Sequence, residues 1–582
     1  MATKQVVIDP LTRIEGHLRI EIEAEGGKIT NAWSETTQFR GIETIVKDRD
    51  PRDVWAFVQR ICGVCTSVHA IASVTAVENA IGSHVPEDAK LIRALVLGSQ
   101  EIQDHVIHFY HLHALDFVNV PSAAKADPQK TLEFAQQIGS KWRGNTLKRF
   151  TEVRDTVQAI LDSGQLSVFT GGYWDHPDYR LPPEANLMCV AHYLDALQFQ
   201  RSMIRINTVF GGKNPHPNFL VGGMASSLDP NSSESVNQVQ LDQINNWVEE
   251  TVEFVNDCYY PDVVAVASVY KDYFDIGPSH PNYFAVGMAG ATFGGNPADS
   301  KESNPHTQVK PGVILGGDLT KVHPFDPKLI AEYVSSAWYE YSVGADKPLT
   351  PDKGETEPKY TGPKLPYKWI GNEYGGKYTW CKAPRYGDKP MQVGPVARVL
   401  LAYAQGHKRT KEIVDSAAAK LGISLDKINS TMGRTFARAV EAVTSADHLR
   451  EDFAALQDNI LAGKIDVFDP SHWDPSTWPA ESSGYSFVEV ARGNLSHWVS
   501  VKNGKVDRYQ AVVPTTWLAG GRDASGTVGP YEQSLLYGGH PLVDPAQPLE
   551  PLRTIHSYDP CMSCAVHVLD PEGANGLTAV AL

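Results

Sequence analysis

Cysteine is scarce in this 582-residue chain: there are seven, an odd number and too few to read as a disulfide framework. Positive charge is short as well. Lys and Arg total 52 against 68 Asp and Glu, a formal net charge of −16, which argues against nucleic acid or an anionic membrane surface as a partner. No apolar run approaches the roughly 20 residues of a membrane span, so membrane association would come only through partners. The segment Met1–Pro10 lacks the apolar core of a signal peptide, so the chain left to itself would stay in the cytoplasm. There are no low-complexity tracts and no internal repeat. Neither Gly211-Gly212-Lys213-Asn214-Pro215 nor Gly222-Gly223-Met224 fits a phosphate loop, which needs a Gly-Lys-Ser/Thr ending or a strand–G-x-G-x-x-G–helix setting. What remains is a folded composition, 42% hydrophobic and 21% charged. Length alone allows about three to five domains. With no clear linker, a single intertwined domain over 1–582 is the expectation.

The few cysteines are concentrated. Cys62-Gly63-Val64-Cys65 is followed by His69, and Cys561-Met562-Ser563-Cys564 by His567; these two C-x-x-C pairs hold four of the seven thiols. Thiolate and imidazole are soft and borderline metal ligands. If the pairs converge, the two ends of the chain meet in space, and four buried thiolates require a soft cation among them. Three readings stay open on spacing alone. A closed zinc site is one, although its pairs usually lie within one small module. An iron–sulfur cluster is another, and it gives no role to the neighbouring Arg, Glu and His residues. The third is an open catalytic centre in which some thiolates bridge two metals. Cys189, Cys258 and Cys381 match no motif and read as core thiols.

Between the ends the pattern is mostly helical. Leu18 to Glu25 alternates apolar residues with charges and, after Gly26-Gly27, a second run goes on from Lys28 to Trp33, which predicts a hairpin. Pro51-Arg52-Asp53 opens a helix running to the first C-x-x-C. Helices are expected from Val68 to about Gly82 and from Pro86 to about Phe117, where Leu91, Leu95, Ile102, Val106 and Phe109 keep helical spacing. Others are expected over 144–163, 184–210, 235–257, 327–342 and 426–461. The second long helix ends in Asp104-His105, His108, His111 and His113; without a His-Glu-x-x-His motif, these histidines are expected to hydrogen-bond in place. Residues 348–366 read as a surface excursion, and 486–489, 496–501 and 506–513 as short strands. The fold class expected is α+β and predominantly helical. A long central helix bundle carries small peripheral β-sheets, and the N- and C-terminal segments converge on the metal site.

Taken together, Arg13-Ile14-Glu15-Gly16-His17, Arg60-Ile61-Cys62-Gly63-Val64-Cys65 and Asp559-Pro560-Cys561-Met562-Ser563-Cys564-Ala565-Val566-His567 resemble the signatures of nickel–iron hydrogenase large subunits. Phe39-Arg40-Gly41-Ile42-Glu43, Asp104-His105 and Val513-Pro514-Thr515-Thr516-Trp517 fall in that family's order, so the resemblance covers essentially the whole chain, closest to the uptake-type, membrane-associated group. It implies reversible heterolytic cleavage of H2, mainly H2 oxidation, at a Ni–Fe centre whose iron holds one CO and two cyanides. Cys62 and Cys561 would be terminal nickel ligands, and Cys65 and Cys564 would bridge nickel to iron. Arg492 would lie over the open side of the metals with Asp104 and Asp559, and Glu15 would take the proton from a nickel thiolate. Thr515 would donate to a cyanide and His69 would orient a bridging cysteine, with Ala491 and Leu495 in the same surroundings. Glu43, the backbone of Ala511 and His567 resemble the ligands of a magnesium or iron(II) ion.

The resemblance also implies partners. Electrons would leave through an iron–sulfur small subunit, as a heterodimer or a dimer of heterodimers, and that subunit's export signal would place the complex on the periplasmic face of a membrane, the alternative being cytoplasmic. Chaperones and a maturation endopeptidase would act on the chain, the latter cutting between His567 and Val568 to remove 568–582. One departure stands out: Glu489-Val490-Ala491-Arg492-Gly493 has Ala491 where the family pattern usually has Pro.

Overall fold

The computed structural model describes residues 3–166, 169, 172–296, 299–303, 308–364, 368–463 and 465–562. Cys564, His567 and the extension 568–582 therefore lie outside the described residues.

The N-terminal sheet is an antiparallel meander of β1 (Lys4–Ile8), β2 (Leu18–Glu25) and β3 (Lys28–Thr36). The Gly26-Gly27 turn has positive φ at both positions, the backbone that a two-residue hairpin connection requires. The C-terminal sheet runs in the order β8-β7-β6-β4-β5, where β4 is Thr292–Asn296, β5 Asp299–Ser303, β6 Glu481–Val490, β7 Gly493–Lys502 and β8 Lys505–Val512.

Between them lies the helical body. Helix α1 (Val68–Ile81) starts just after Cys65 and packs flat on β6. Contact is close enough that a Cβ on Gly484 would stand 2.4 Å from the Ala76 carbonyl oxygen, so glycine is needed there. Helix α2 (Glu87–Ile107) lies along α7 (Thr431–Leu461). At 31 residues, α7 is about 46 Å long, and Ser430 caps its start by accepting the Gly433 N–H at 3.0 Å. Helices α3 (Pro183–Met203), α4 (Gln238–Phe254), α5 (Tyr260–Val269) and α6 (Pro395–Ala404) belong to the same body, and α8 (Leu549–His556) leads to the C-terminal cysteine segment. Among the described residues no helix is long and apolar enough to cross a membrane.

Most expected elements form, and the α+β, mainly helical class holds. Two corrections are needed. Residues 327–342 are not a helix: a 3-10 turn at Pro327–Leu329 is followed by a strand, Ile330–Tyr333, paired with Ala383–Tyr386. Its residues alternate between buried and half-buried, a period of two in a run too short to separate from a helix by pattern. The Pro86–Phe117 helix changes winding at His108–His113, a π-turn followed by a 3-10 turn. Its histidines are hydrogen-bonded in place: His105 to Glu441 at 2.9 Å, His108 to the His556 carbonyl at 2.7 Å, and His111 to the Tyr193 carbonyl at 3.1 Å.

Candidate metal centre

Two turns and one terminal segment bring the cysteines together. Cys62 and Cys65 flank a loop between the 3-10 turn Gln59–Ile61 and α1, folded so that the Cys65 N–H donates to Cys62 Sγ at 3.1 Å. From the other end, Cys561 lies beside Glu15 in a parallel bridge; Met562 N–H donates to the Glu15 carbonyl at 2.8 Å. Glu15 is held there by a local lock. Arg13 donates to the Leu112 carbonyl at 2.8 Å and pairs with Asp116; His556, at the end of α8, bonds Asp116 at 2.7 Å and the Thr12 carbonyl at 2.8 Å. Burial opposes the Asp116 charge, but Arg13 and His556 outweigh it and hold this carboxyl well below the usual range.

Cys561 Sγ lies 3.4 Å from Cys62 Sγ and 3.7 Å from Cys65 Sγ, all three buried and free of disulfides. The three sulfurs fall within 4.8 Å of one another. As thiolates they would repel at this range, and a soft cation between them removes the repulsion. The donor set fits nickel. Glu15 reaches the cluster from its half-exposed side, Oε2 to Cys561 Sγ 3.4 Å.

Around the Cys65 sulfur the site is buried and cationic. The β6–β7 hairpin turns through Ala491-Arg492, and Gly493 follows at φ 144°. A Cβ on Gly493 would stand 2.6 Å from Val393 Cγ2, so this turn is tight because residue 493 has no side chain. Arg492 Nη1 donates to Cys65 Sγ at 3.0 Å and to Asp104 Oδ2 at 2.9 Å; Nη2 lies 3.1 Å from Asp559 Oδ2. Burial disfavours the Arg492 cation, but Asp559, the Cys65 sulfur and Asp104 outweigh it and raise its pKa. Burial pushes the Asp104 carboxyl up to about 8 against the pull of Arg492. His69, wholly buried, is pushed down to about 4 by desolvation, so it is neutral; its Nδ1 faces His497 Nε2 at 3.0 Å, and His497 bonds Tyr509.

Thr515 Oγ1 accepts the Cys561 N–H at 3.3 Å, and Ala491 and Leu495 are buried at and beside the turn. Glu43 Oε1 accepts the Ala511 N–H at 2.9 Å, so two of the three expected magnesium ligands are neighbours. The third, His567, and the fourth thiol, Cys564, lie outside the described residues.

Several groups at the site had no motif to announce them. Gln100 donates to the Val64 carbonyl at 2.9 Å and to Asp104 at 2.8 Å, tying the cysteine loop to that carboxylate. Arg438 donates to the Ala491 carbonyl at 2.9 Å and to the Tyr558 carbonyl at 2.7 Å, clamping the hairpin tip to the terminal segment. Arg398 bonds the Val490 carbonyl at 2.8 Å and the carboxylates of Glu441 and Glu489. One signal for them was available: Arg398 interrupts the apolar run Pro395-Val396-Ala397-Arg398-Val399-Leu400-Leu401, and a lone charge on an apolar helix is buried only if paired.

Because the Ala491 carbonyl is already fixed by Arg438, restoring proline at 491 is expected to leave assembly and metal content unchanged. It should alter the rate of inactivation by O2 or CO by roughly twofold or more through the stiffer turn; unchanged inactivation kinetics of Ala491→Pro would remove any role for this departure.

A sequence profile described as nickel-dependent hydrogenase matches residues 40–567, and one described as HoxL-like matches 5–39. The chain is 44% identical to the uptake hydrogenase large subunit of Rhizobium leguminosarum bv. viciae, covering 98% of this chain and 96% of that one. It is 42% identical to the hydrogenase-1 large chain of Escherichia coli K12 over the same shares. Among solved structures it resembles the Ni-Fe-Se hydrogenase of D. vulgaris Hildenborough, with a TM-score of 0.74 at 29% identity over 97% of this chain and 100% of that one. With a profile match over residues 40–567 and buried thiols from both ends of the sequence converging beneath an arginine, the chain belongs to the nickel-dependent hydrogenase family.

Proposed function

We propose that the chain is the catalytic subunit of an H2-oxidising nickel–iron hydrogenase, with Cys62, Cys65, Cys561 and Cys564 holding the two metals and one CO and two cyanides on the iron. The observation that carries this is the asymmetry of the thiol cluster: a buried guanidinium with two carboxylates at the Cys65 sulfur, and a half-exposed carboxylate 3.4 Å from the Cys561 sulfur. When bound, the centre supplies the heterolytic cleavage of H2 to protons and electrons. The residues of this chain do the rest. Arg492, on a hairpin tip that Arg438 and Arg398 hold through the Ala491 and Val490 carbonyls, presents a permanent cation to the reacting side and excludes bulk water there. Glu15 receives the proton at its carboxylate from the Cys561 sulfur and passes it outward; among the described residues it is half-exposed, whereas Asp104 and Asp559 are buried. Thr515 and His69 orient the cysteine segments.

Electrons require an iron–sulfur small subunit. The cysteine loop reaches the surface at Gly63, beside the exposed Arg60, and this is where such a partner would sit closest to the thiols. Glu43 and Ala511, with His567, are proposed to hold a magnesium or iron(II) ion, the ammonium of Lys382 lying 3.7 Å from Glu332 nearby. Chaperone-assisted insertion, removal of 568–582 after His567 and a periplasm-facing, membrane-associated complex complete the reading.

The test is metal content and intact mass of the chain purified anaerobically with its partner. One nickel per large subunit, on a chain ending at His567 and with iron in excess of nickel because the partner's clusters add to it, is expected; zinc in place of nickel on a chain of that length would overturn the reading. Arg492→Lys is expected to keep both metals and lose roughly a hundredfold in H2 oxidation, because a single ammonium cannot reach Cys65, Asp104 and Asp559 together. Full activity in that variant would remove Arg492 from the mechanism.

A further inference from the structure

Behind the Arg492 turn lies a small void of about 10 Å3, lined in part by Gln392, Arg434, Arg438, Arg492 and Tyr558. That is room for one water-sized particle. Four nitrogens of these lining residues have no hydrogen-bond partner among the described residues: Gln392 Nε2, Arg434 Nη1, Arg438 Nε and Arg492 Nε. None of these four residues is more than 3% exposed, so solvent does not satisfy them.

Charge is unbalanced in the same place. Arg434 bonds Ser557 Oγ at 2.7 Å and the Gly277 carbonyl at 2.8 Å, with the Tyr558 ring 3.8 Å from its guanidinium; no carboxylate pairs with it among the described residues. Arg438 uses its terminal nitrogens on backbone carbonyls and lies 3.9 Å from Asp559. Asp559 is already 3.1 Å from Arg492, whose other carboxylate is Asp104. Asp104, Asp559 and the Cys65 sulfur are all taken up at Arg492 and Arg438, which leaves Arg434 with no anionic partner among the described residues. Burial, together with the nearby Arg438 guanidinium, works against the Arg434 cation and lowers its pKa. An unpaired buried cation is costly.

We propose that this void binds one small monovalent anion of the halide class, which in the cell is chloride. A water molecule accepts two hydrogen bonds and cannot satisfy four donors, nor does it carry charge. A halide accepts from all four and neutralises Arg434. Nitrate, sulfate and phosphate are too large for a one-particle void. Gln392 Oε1 is unpartnered too, so its amide is free to turn its NH2 to the anion. The bound halide fixes Arg492 Nε from behind while leaving its Nη atoms to Cys65, Asp104 and Asp559. The assignment stands whether or not Arg492 has the catalytic role proposed above.

Two measurements on the anaerobically purified heterodimer test it together. The protein is exchanged exhaustively into chloride-free sulfate buffer, then denatured, and released chloride is counted; a slowly exchanging site yields one chloride per large subunit. Crystals of the same protein grown in sodium bromide are measured at the bromine edge; an exchanging site shows one anomalous peak between Arg434, Arg438 and Arg492. Arg434→Met is expected to lose whichever signal the wild type gives. No retained chloride, together with an ordered water and no bromide peak in the void, would overturn the proposal. If Arg434→Met fails to mature, the two wild-type measurements still decide.

Discussion

Replacing Cys561 by serine is expected to strip nickel from the chain and lower H2 oxidation on the order of a thousandfold or more, about 4 kcal/mol or greater in barrier terms. Cys561 Sγ is the hub of the cluster, 3.4 Å from Cys62, 3.7 Å from Cys65 and 3.4 Å from Glu15. A serine hydroxyl keeps the shape but is a hard, weakly acidic ligand that nickel takes poorly. The backbone of the segment is secured independently, through Thr515 and Glu15, so the variant should fold. Nickel by mass spectrometry and H2 uptake in the same preparation check this, with Cys381→Ser as control: that thiol is buried and outside the sulfur cluster, and its loss should change nickel content less than twofold. Normal nickel and activity in Cys561→Ser would mean that the convergence of the thiols is structural only.

The second large effect is expected at Glu15. Glu15→Gln keeps the side-chain shape and both backbone bonds to the Cys561 segment, yet cannot accept and release a proton. Removing a positioned acid–base group typically costs 10²–10⁴-fold, and a kcat for H2 oxidation reduced by roughly 10²-fold or more is expected, with KM for H2 within about twofold and both metals retained. Glu15→Asp should recover part of the rate, since a bridging water can span the shortened side chain. A Gln variant with the wild-type rate would show that protons leave by another path.

How much of this was legible in the sequence depends on how local the information is. The hairpin Leu18–Trp33 and the helices over 68–82, 144–163 and 426–461 are set by periodicity and turns within a few residues, and they form near where the pattern places them. The strand at 330–333 was missed because its partner, 383–386, is some fifty residues away, and pairing leaves no trace in either segment alone. The cysteines, Glu15 and Arg492 were found through motifs. The clamps that aim them were not: Arg438 acts through two backbone carbonyls contributed by residues 53 and 120 positions away, and carbonyls carry no residue identity to recognise. A π-turn at His108–His113 was equally invisible, since one extra residue in a helical turn does not disturb an apolar repeat enough to read.

The pairing of Glu15 with Cys561 spans 546 positions, and this has a consequence in time. At the roughly 5–20 residues per second of synthesis, Glu15 leaves the ribosome about half a minute to two minutes before its neighbour exists. Throughout that interval Cys62 and Cys65 are made, but the third sulfur beside them has not yet been translated. The site therefore cannot begin to close on a growing chain, and any metal delivered then would meet two of the three sulfurs that the fold brings together. Closure of the sulfur cluster is tied to completion of the polypeptide: a chain truncated before residue 561 lacks both the third sulfur and the strand-like pairing with Glu15.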